Sequence, residues 1–182
     1  MLPTSIVAMF CGPHDNNGAV SFRRPDAAIA HTRCVGLPLI ICGDGNNGTD
    51  CHLFRVHAEA AGLREVVDLY GPDANTLSDA RSLCTLLARN AEYRDVHTVH
   101  LVTDWWHMMR ARLFLEHLLR ELACARIVSV EEVPVKCHDP LPEVAMGEIC
   151  GVRDFLAGNY GKTRHLVGYG KPCHQLVAPI AT

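Results

Sequence analysis

The segment TDWWHMMR, residues 103–110, links an apolar run to a helical pattern and carries side chains that are suited to chemistry. His107 and Arg110 are three residues apart and therefore lie on one face of a helix. A histidine can accept or donate a proton near neutral pH, and an arginine can hold an oxyanion through two hydrogen bonds. Both residues are catalytic candidates. The alternative is a surface histidine and an arginine that pairs with Glu116 or Glu148.

Aspartates and aromatic residues at the ends of apolar runs extend this candidate site. Asp44 follows the second run and is the third catalytic candidate. Together with other aspartates it could hold Mg²⁺ beside a phosphate, or these residues could cap helices, as Asp50 would. Trp106 could cover a planar ligand or pack as a core aromatic residue.

Short apolar runs rich in β-branched residues alternate with longer segments of helical spacing, which is typical of βαβ units. The predicted strands are Ser5 to Phe10, Pro38 to Cys42, Glu65 to Leu69, His97 to Thr103 and Ala125 to Val130. The predicted helices are Pro25 to Cys34, Asp50 to Ala61, Asn75 to Asn90, Asp104 to Leu122 and Glu143 to Ala157. This order predicts a single α/β domain over residues 1–182, a three-layer sandwich with a mainly parallel sheet of about five strands flanked by helices. Residues 159–182 show no period and are interpreted as a flap, an edge strand or the arm of a homodimer.

Glycine-rich and polar loops follow the first four predicted strands. In a parallel sheet with right-handed crossovers these loops emerge at one edge, where open α/β folds bind ligands. Glycines allow a ligand to approach the backbone, and helix N-termini favour phosphate or carboxylate. The predicted ligand-binding residues are Gly12, Gly43, Asp50, Asn75, Thr76, Thr103 and Trp106. For any one loop the alternative is that Gly, Asn and Asp simply form a turn.

Composition excludes several classes of protein. The formal net charge of −3 provides no basic surface for nucleic acid. No apolar run approaches the roughly 18 residues of a membrane helix, and the segment MLPTSIVAMF lacks the basic and cleavable apolar regions of an export signal, so we expect a cytoplasmic protein without a membrane partner. The nine cysteines are an odd number, which favours reduced thiols. They lack the CxxC spacing of zinc sites, and we predict no metal site.

Several segments between Arg23 and Glu121 resemble the YdcF-like family, which includes the SanA and ElyC envelope proteins. RRPDAAIAHTRCVGLPLIICGD resembles its first helix and following strand, and Asp50 and Gly62 match the spacing of its next helix. DANTLSDA keeps Asn75, Thr76 and Ala80 of a second motif. VTDWWHMMRA keeps Thr103, His107, Arg110 and Ala111, and this match is the most specific of them.

The resemblance implies a Rossmann-like fold, with S-adenosylmethionine binding in one branch and envelope polysaccharide or lipid-carrier metabolism in another. The chain departs from the family pattern in its predicted pocket. The differing positions are Cys42, Asp44, Asp73, Ser78 and Asp79.

We therefore expect a soluble enzyme that hydrolyses a small anionic or nucleotide-like metabolite, or transfers a group from it. The alternatives are a non-catalytic module that binds S-adenosylmethionine or a nucleotide, and an accessory protein in a biosynthetic or envelope pathway. The sequence does not identify a cofactor, although the resemblance favours S-adenosylmethionine over Mg²⁺.

Overall fold

The computed structural model describes residues 2–12, 20–44, 49–73, 75–122 and 128–160 of the chain. Its centre is a sheet of five parallel strands in the order β3-β2-β1-β4-β5. The strands are β1 Ser5–Phe10, β2 Leu39–Asp44, β3 Val66–Gly71, β4 Thr98–Asp104 and β5 Ser129–Val135. This confirms the predicted mainly parallel sheet.

Four helices cover the two faces of the sheet. The helices are α1 Arg23–Val35, α2 Thr49–Ala60, α3 Thr76–Arg89 and α4 Met108–Leu122, with a short 3₁₀ helix at Ala91–Tyr93. Helices α1 and α2 contact each other and the strands on one face, whereas α3 and α4 pack together on the other. The result is the three-layer α/β sandwich that the sequence predicts.

The central strand β1 is buried on both sides, which explains its unbroken apolar sequence. Every residue from Ile6 to Phe10 is fully buried. Val7 and Met9 pack against Ala28 of α1 and Phe54 of α2. Burying a side chain as large as Ile or Phe contributes about 1.5–3 kcal/mol, so β1 anchors both layers of the core.

Two predicted boundaries are wrong. The fifth strand runs over Ser129–Val135 and not over Ala125 to Val130, because Glu131, Glu132 and Pro134 occupy an edge strand that tolerates charges and a proline. Residues 125–127 of the predicted strand lie outside the described residues.

The fourth helix begins at Met108, four residues later than predicted. Asp104 remains in β4, where it is the register partner of Val135, and a turn over residues 105–107 connects the strand to the helix. This turn carries the tryptophans and the histidine that the sequence assigned to the helix itself.

The chain divides into two compact units, residues 1–137 and 138–182. The second unit contains α5, Pro142–Leu156, which begins with a proline in its first turn as helix N-termini favour. The predicted tail over 159–182 lies outside the described residues beyond Tyr160. Within the described ranges, no helix has the length and apolarity needed to cross a membrane.

Candidate functional site

The order of the strands defines a topological switch point between β1 and β4. The chain leaves β1 toward β2 through α1 on one face and reaches β4 from β3 through α3 on the other. Open α/β sheets bind ligands outside the carboxyl ends of the strands at such a point. We use the name switch-point crevice for the residues that meet there: Phe10–Gly12, Arg24, Thr76, residues 103–107 and Arg110.

Arg24 joins the two strands that border the crevice. Its Nη1 donates a hydrogen bond of 3.0 Å to the carbonyl oxygen of Phe10, and its Nη2 lies 2.6 Å from Oδ2 of Asp104. The residue is only 6% exposed. A Cβ atom on Gly12 would collide with the guanidinium group of Arg24, so this glycine is what allows the close approach. Gly12 therefore has a clear local reason for its lack of a side chain.

Trp106 connects this arginine to the histidine of the crevice. The Arg24 guanidinium carbon is 5.9 Å from the centre of the indole ring, a cation–π distance, and the ring of His107 meets the indole edge-on at 5.8 Å between centroids. Trp106 is half-buried, whereas Trp105 is 45% exposed. The three side chains thus form one contiguous cluster.

His107 makes hydrogen bonds through both ring nitrogens. Its Nε2 is 3.3 Å from Oγ1 of Thr76, and its Nδ1 is 3.2 Å from Nη2 of Arg110. A guanidinium group only donates, so Nδ1 accepts and the proton resides on Nε2, which donates to Thr76. All three residues are buried, and His107 is 3% exposed. In this arrangement His107 links Thr76 of α3 to Arg110 of α4.

Asn75 has a structural role at the N-terminus of α3. Its Oδ1 accepts a hydrogen bond of 2.9 Å from the backbone N–H of Ser78, as an N-cap residue does. The Ser78 hydroxyl in turn accepts from the backbone N–H of Asp73 at 3.2 Å. This network fixes the start of α3 and so positions Thr76 beside His107.

Thr103 is the last predicted ligand-binding residue near the crevice. Its side chain is fully buried, and its hydroxyl has no hydrogen-bond partner within the described part of the chain. Side chains alternate between the two faces of a strand, so Thr103 lies on the same face as Leu101 and on the opposite face from Val102. Val102 packs in the α1–α2 layer. The side chain of Thr103 therefore belongs to the face that α3 and α4 cover.

The remaining predicted residues lie one strand further along the edge. Gly43 and Asp44 end β2, and the Asp44 side chain lies outside the described part of the structure. Asp50 is half-buried in the first turn of α2. The nearby Cys42 is fully buried, and this burial raises the pKa of its thiol well above the usual value. Asp50, at the start of the helix that follows β2, is therefore separated from His107 and Arg110 by β1 in the strand order.

Arg24 is the site residue that the sequence did not single out. It appears within the RR pair of the family resemblance, but its spacing alone does not distinguish a buried arginine from an exposed one. A usable signal is its position, one residue into the first helix after the first strand. In an α/β fold this position faces the carboxyl edge.

No group of three or more His, Cys, Asp or Glu side chains among the described residues is arranged to hold a metal ion. A separate groove of about 680 Å³ lies along α3 and the edge of β3, and its lining includes Tyr70, Arg81, Thr85 and Arg89. These residues lie beside an edge strand and not at the switch point. Searches of family models, curated proteins and solved structures gave no match to this chain.

Proposed function

We propose that the chain binds a small anionic or nucleotide-like metabolite in the switch-point crevice. The observation that carries this proposal is the position of Arg24 across β1 and β4. Its two described hydrogen bonds use two of the five N–H donors that a guanidinium group carries. The remaining N–H donors of the guanidinium group can bind a carboxylate or a phosphate.

A second arginine and two helix N-termini support the same ligand class. Arg110 lies in the first turn of α4, where His107 orients it. Helices α3 and α4 both begin at this edge of the sheet, and their N-terminal N–H groups favour negative charge. Trp106 adds an aromatic surface against which a planar group such as a nucleobase could stack.

Thermal unfolding in the presence of candidate ligands tests this proposal. The probes are mono- and dinucleotides, S-adenosylmethionine, its thioether product and sugar phosphates. A probe at about 100 times its dissociation constant should stabilise the chain by about 2.7 kcal/mol. We expect this shift in the unmodified chain and in Arg112→Ala, and its loss in Arg110→Ala.

Arg112 is a matched control because it lies on the same helix and pairs with Glu116 and Glu132 away from the crevice. The proposal fails if none of the probes shifts the melting temperature. It also fails if Arg110→Ala and Arg24→Lys both keep the full shift, since the ligand would then bind elsewhere.

Hydrolysis of the ligand, or group transfer from it, is the second candidate function. The observation in its favour is the 3.3 Å distance between Thr76 Oγ1 and His107 Nε2, a spacing close to that of a nucleophile and its base. His107 can accept a proton from Thr76 only if Arg110 releases Nδ1 and the ring proton moves there. A bound anion that forms an ion pair with Arg110 would free Nδ1 of His107 and allow the ring proton to move there.

Mass analysis of each stabilising probe separates the two functions. Catalysis would be supported by a probe that is chemically changed after incubation with the unmodified chain. The same probe should stay intact after incubation with Thr76→Val or with His107→Gln. Recovery of every stabilising probe intact would leave binding as the function and remove the proposed chemistry. Conversion that persists in both variants would exclude this pair as its catalytic groups.

A further inference from the structure

Two free thiols meet where β1 ends and α2 begins. The Sγ atoms of Cys11 and Cys51 are 3.6 Å apart, although the two residues are 40 positions apart in the sequence. A disulfide bond requires a sulfur–sulfur distance of about 2.05 Å. A closing movement of about 1.5 Å therefore separates the reduced pair from a covalent bond.

Gly43 of β2 explains why the two sulfurs can approach each other. A Cβ atom at Gly43 would collide with Sγ of Cys51 and would lie 3.0 Å from Sγ of Cys11. Any side chain at this position would have to push the thiols away. Gly43, which the sequence assigned to ligand binding, thus has a positioning role for the thiol pair.

Both cysteines are held by backbone contacts on either side of the pair. The backbone N–H of Cys11 donates to the carbonyl oxygen of Cys42 at 2.7 Å, and Sγ of Cys51 lies 3.6 Å from the carbonyl oxygen of Leu69. The two cysteines differ in exposure, because Cys11 is half-buried and Cys51 is 1% exposed. Since Cys11 is the more exposed residue of the two, we expect it to react first with a reagent from solvent.

We propose that Cys11 and Cys51 form a reversible disulfide by exchange with a low-molecular-weight disulfide of the glutathione type. In the first step Cys11 loses its proton, and its thiolate attacks one sulfur of the small disulfide. The small sulfur–sulfur bond breaks, a mixed disulfide forms on Cys11, and one small thiolate leaves.

In the second step Cys51 loses its proton and attacks Sγ of Cys11, which releases the second small thiolate. The two protons lost by the protein are taken up by the two small thiolates. Two electrons thus pass from the protein thiols to the small disulfide, which is reduced to two thiols. Excess small thiol reverses both steps.

The environment of Cys11 makes this exchange dependent on pH. The hydrogen bond with Cys51, and then burial, raise the pKa of Cys11 well above its usual value. The thiolate is the attacking species, so the rate of exchange should rise as the pH is raised. The bond would tie the end of β1, next to Gly12 and Arg24, to the start of α2. The exchange does not rest on the proposed function, because it requires only the two thiols and the small disulfide.

The experiment is incubation of the reduced full chain with oxidised glutathione over a range of pH. Reaction is stopped with acid, the remaining thiols are alkylated, and the peptides are mapped by mass spectrometry. We expect a cross-linked peptide that joins Cys11 to Cys51, faster formation at higher pH, and its loss on treatment with reduced glutathione. In Cys51→Ser, glutathione should instead accumulate on Cys11.

Cys34 provides the internal control. It is exposed in the last turn of α1, at the end of that helix opposite the crevice, and should form a mixed disulfide during the incubation with oxidised glutathione. Cys34→Ser should form the Cys11–Cys51 bond at the unmodified rate, whereas Gly43→Ala should slow it. The proposal is overturned if Cys34 is modified while Cys11 and Cys51 are both recovered alkylated. It is also overturned if glutathione stays on Cys11 in the unmodified chain.

Discussion

Arg24 and Asp104 are 80 residues apart in the sequence, yet their side chains form a buried ion pair with 2.6 Å between Nη2 and Oδ2. The pair connects α1 to the end of β4. A second hydrogen bond, from Arg24 to the carbonyl oxygen of Phe10, connects α1 to the end of β1 as well. The crevice is thus built around a contact between a helix on one face and the two strands of the switch point.

Removal of one partner of this pair should be strongly destabilising. Arg24→Met leaves the Asp104 carboxylate buried without its cation, and such a change typically costs about 3–5 kcal/mol. The double variant Arg24→Met with Asp104→Leu should lose less, because it buries no unpaired charge. Urea unfolding measures the free energy of unfolding of the single and the double variant. Arg55→Met, which breaks the exposed contact to Glu59 and the partly buried contact to Asp68, should have a smaller effect because the Arg55 side chain itself is 41% exposed. Equal losses from Arg24→Met and Arg55→Met would contradict the structural role of the pair.

Gly12→Ala should disturb the same pair without changing its charges. The new methyl group would occupy the position of the Arg24 guanidinium, so the ion pair must shift and the melting temperature should fall. Gly147→Ala is the matched control, because this glycine lies inside α5 and a Cβ atom there meets nothing within 4 Å. The control should stabilise its helix by about 0.5–1 kcal/mol. A Gly12→Ala variant as stable as the unmodified chain would show that Arg24 can relocate freely.

Asn75→Ala should remove the cap of α3. The expected loss is about 1 kcal/mol in the free energy of unfolding, since the N–H of Ser78 loses its acceptor. Asn75→Asp and Asn75→Ser keep an acceptor at the N-cap and should retain most of the stability. Chemical denaturation of the three variants without any ligand checks this prediction. If all three lost the same stability, capping would not be the contribution of Asn75.

His31 should make stability depend on pH. Burial lowers the pKa of His31 from its usual value of 6.5, the neighbouring His100 lowers it further, and Glu131 opposes the shift. The folded chain holds the proton of His31 less tightly than the unfolded chain does. The contribution of neutral His31 to the free energy of unfolding is therefore fully present above pH 6.5 and is lost as the pH falls through the folded pKa. Melting temperatures from about pH 8 to about pH 5 should show this loss.

In that titration His31→Gln should show a smaller loss on acidification, since glutamine stays neutral. His117→Gln is the comparison, because His117 lies in an exposed pair with Glu121 on α4. It should leave the profile close to that of the unmodified chain. If His31→Gln and the unmodified chain had the same profile, His31 would not be the titrating group.

Hydrophobic patterning was sufficient to predict the first four strands and the alternation with helices. These strands are apolar runs bounded by turn residues, and the structure places each within two residues of its predicted ends. The fifth strand was predicted to end at Val130 and not at Val135, because Glu131, Glu132 and Pro134 break the pattern. At the edge of a sheet these residues face solvent on one side, so pairing with β4 outweighs their low β propensity.

The sequence also predicted that Thr76, His107 and Arg110 would lie at one edge, and the structure connects them by hydrogen bonds. It could not predict that both nitrogens of His107 are engaged, because this depends on the turn over residues 105–107. Nor could it predict Arg24 or the Cys11–Cys51 contact. Each joins segments whose proximity is set by the order of the strands and not by local spacing.

The central position of β1 also constrains how the chain folds. The strand is synthesised before β4, but one of its two hydrogen-bonding edges is completed only by β4, which pairs Ser5 with Thr98. Until residues near 104 are available, β1 has one edge of unpaired backbone N–H and C=O groups beside its apolar side chains Ile6 to Phe10. Contacts of such long sequence separation slow folding and expose intermediates to aggregation. The strand that anchors the mature core is therefore also a segment through which the nascent chain can aggregate.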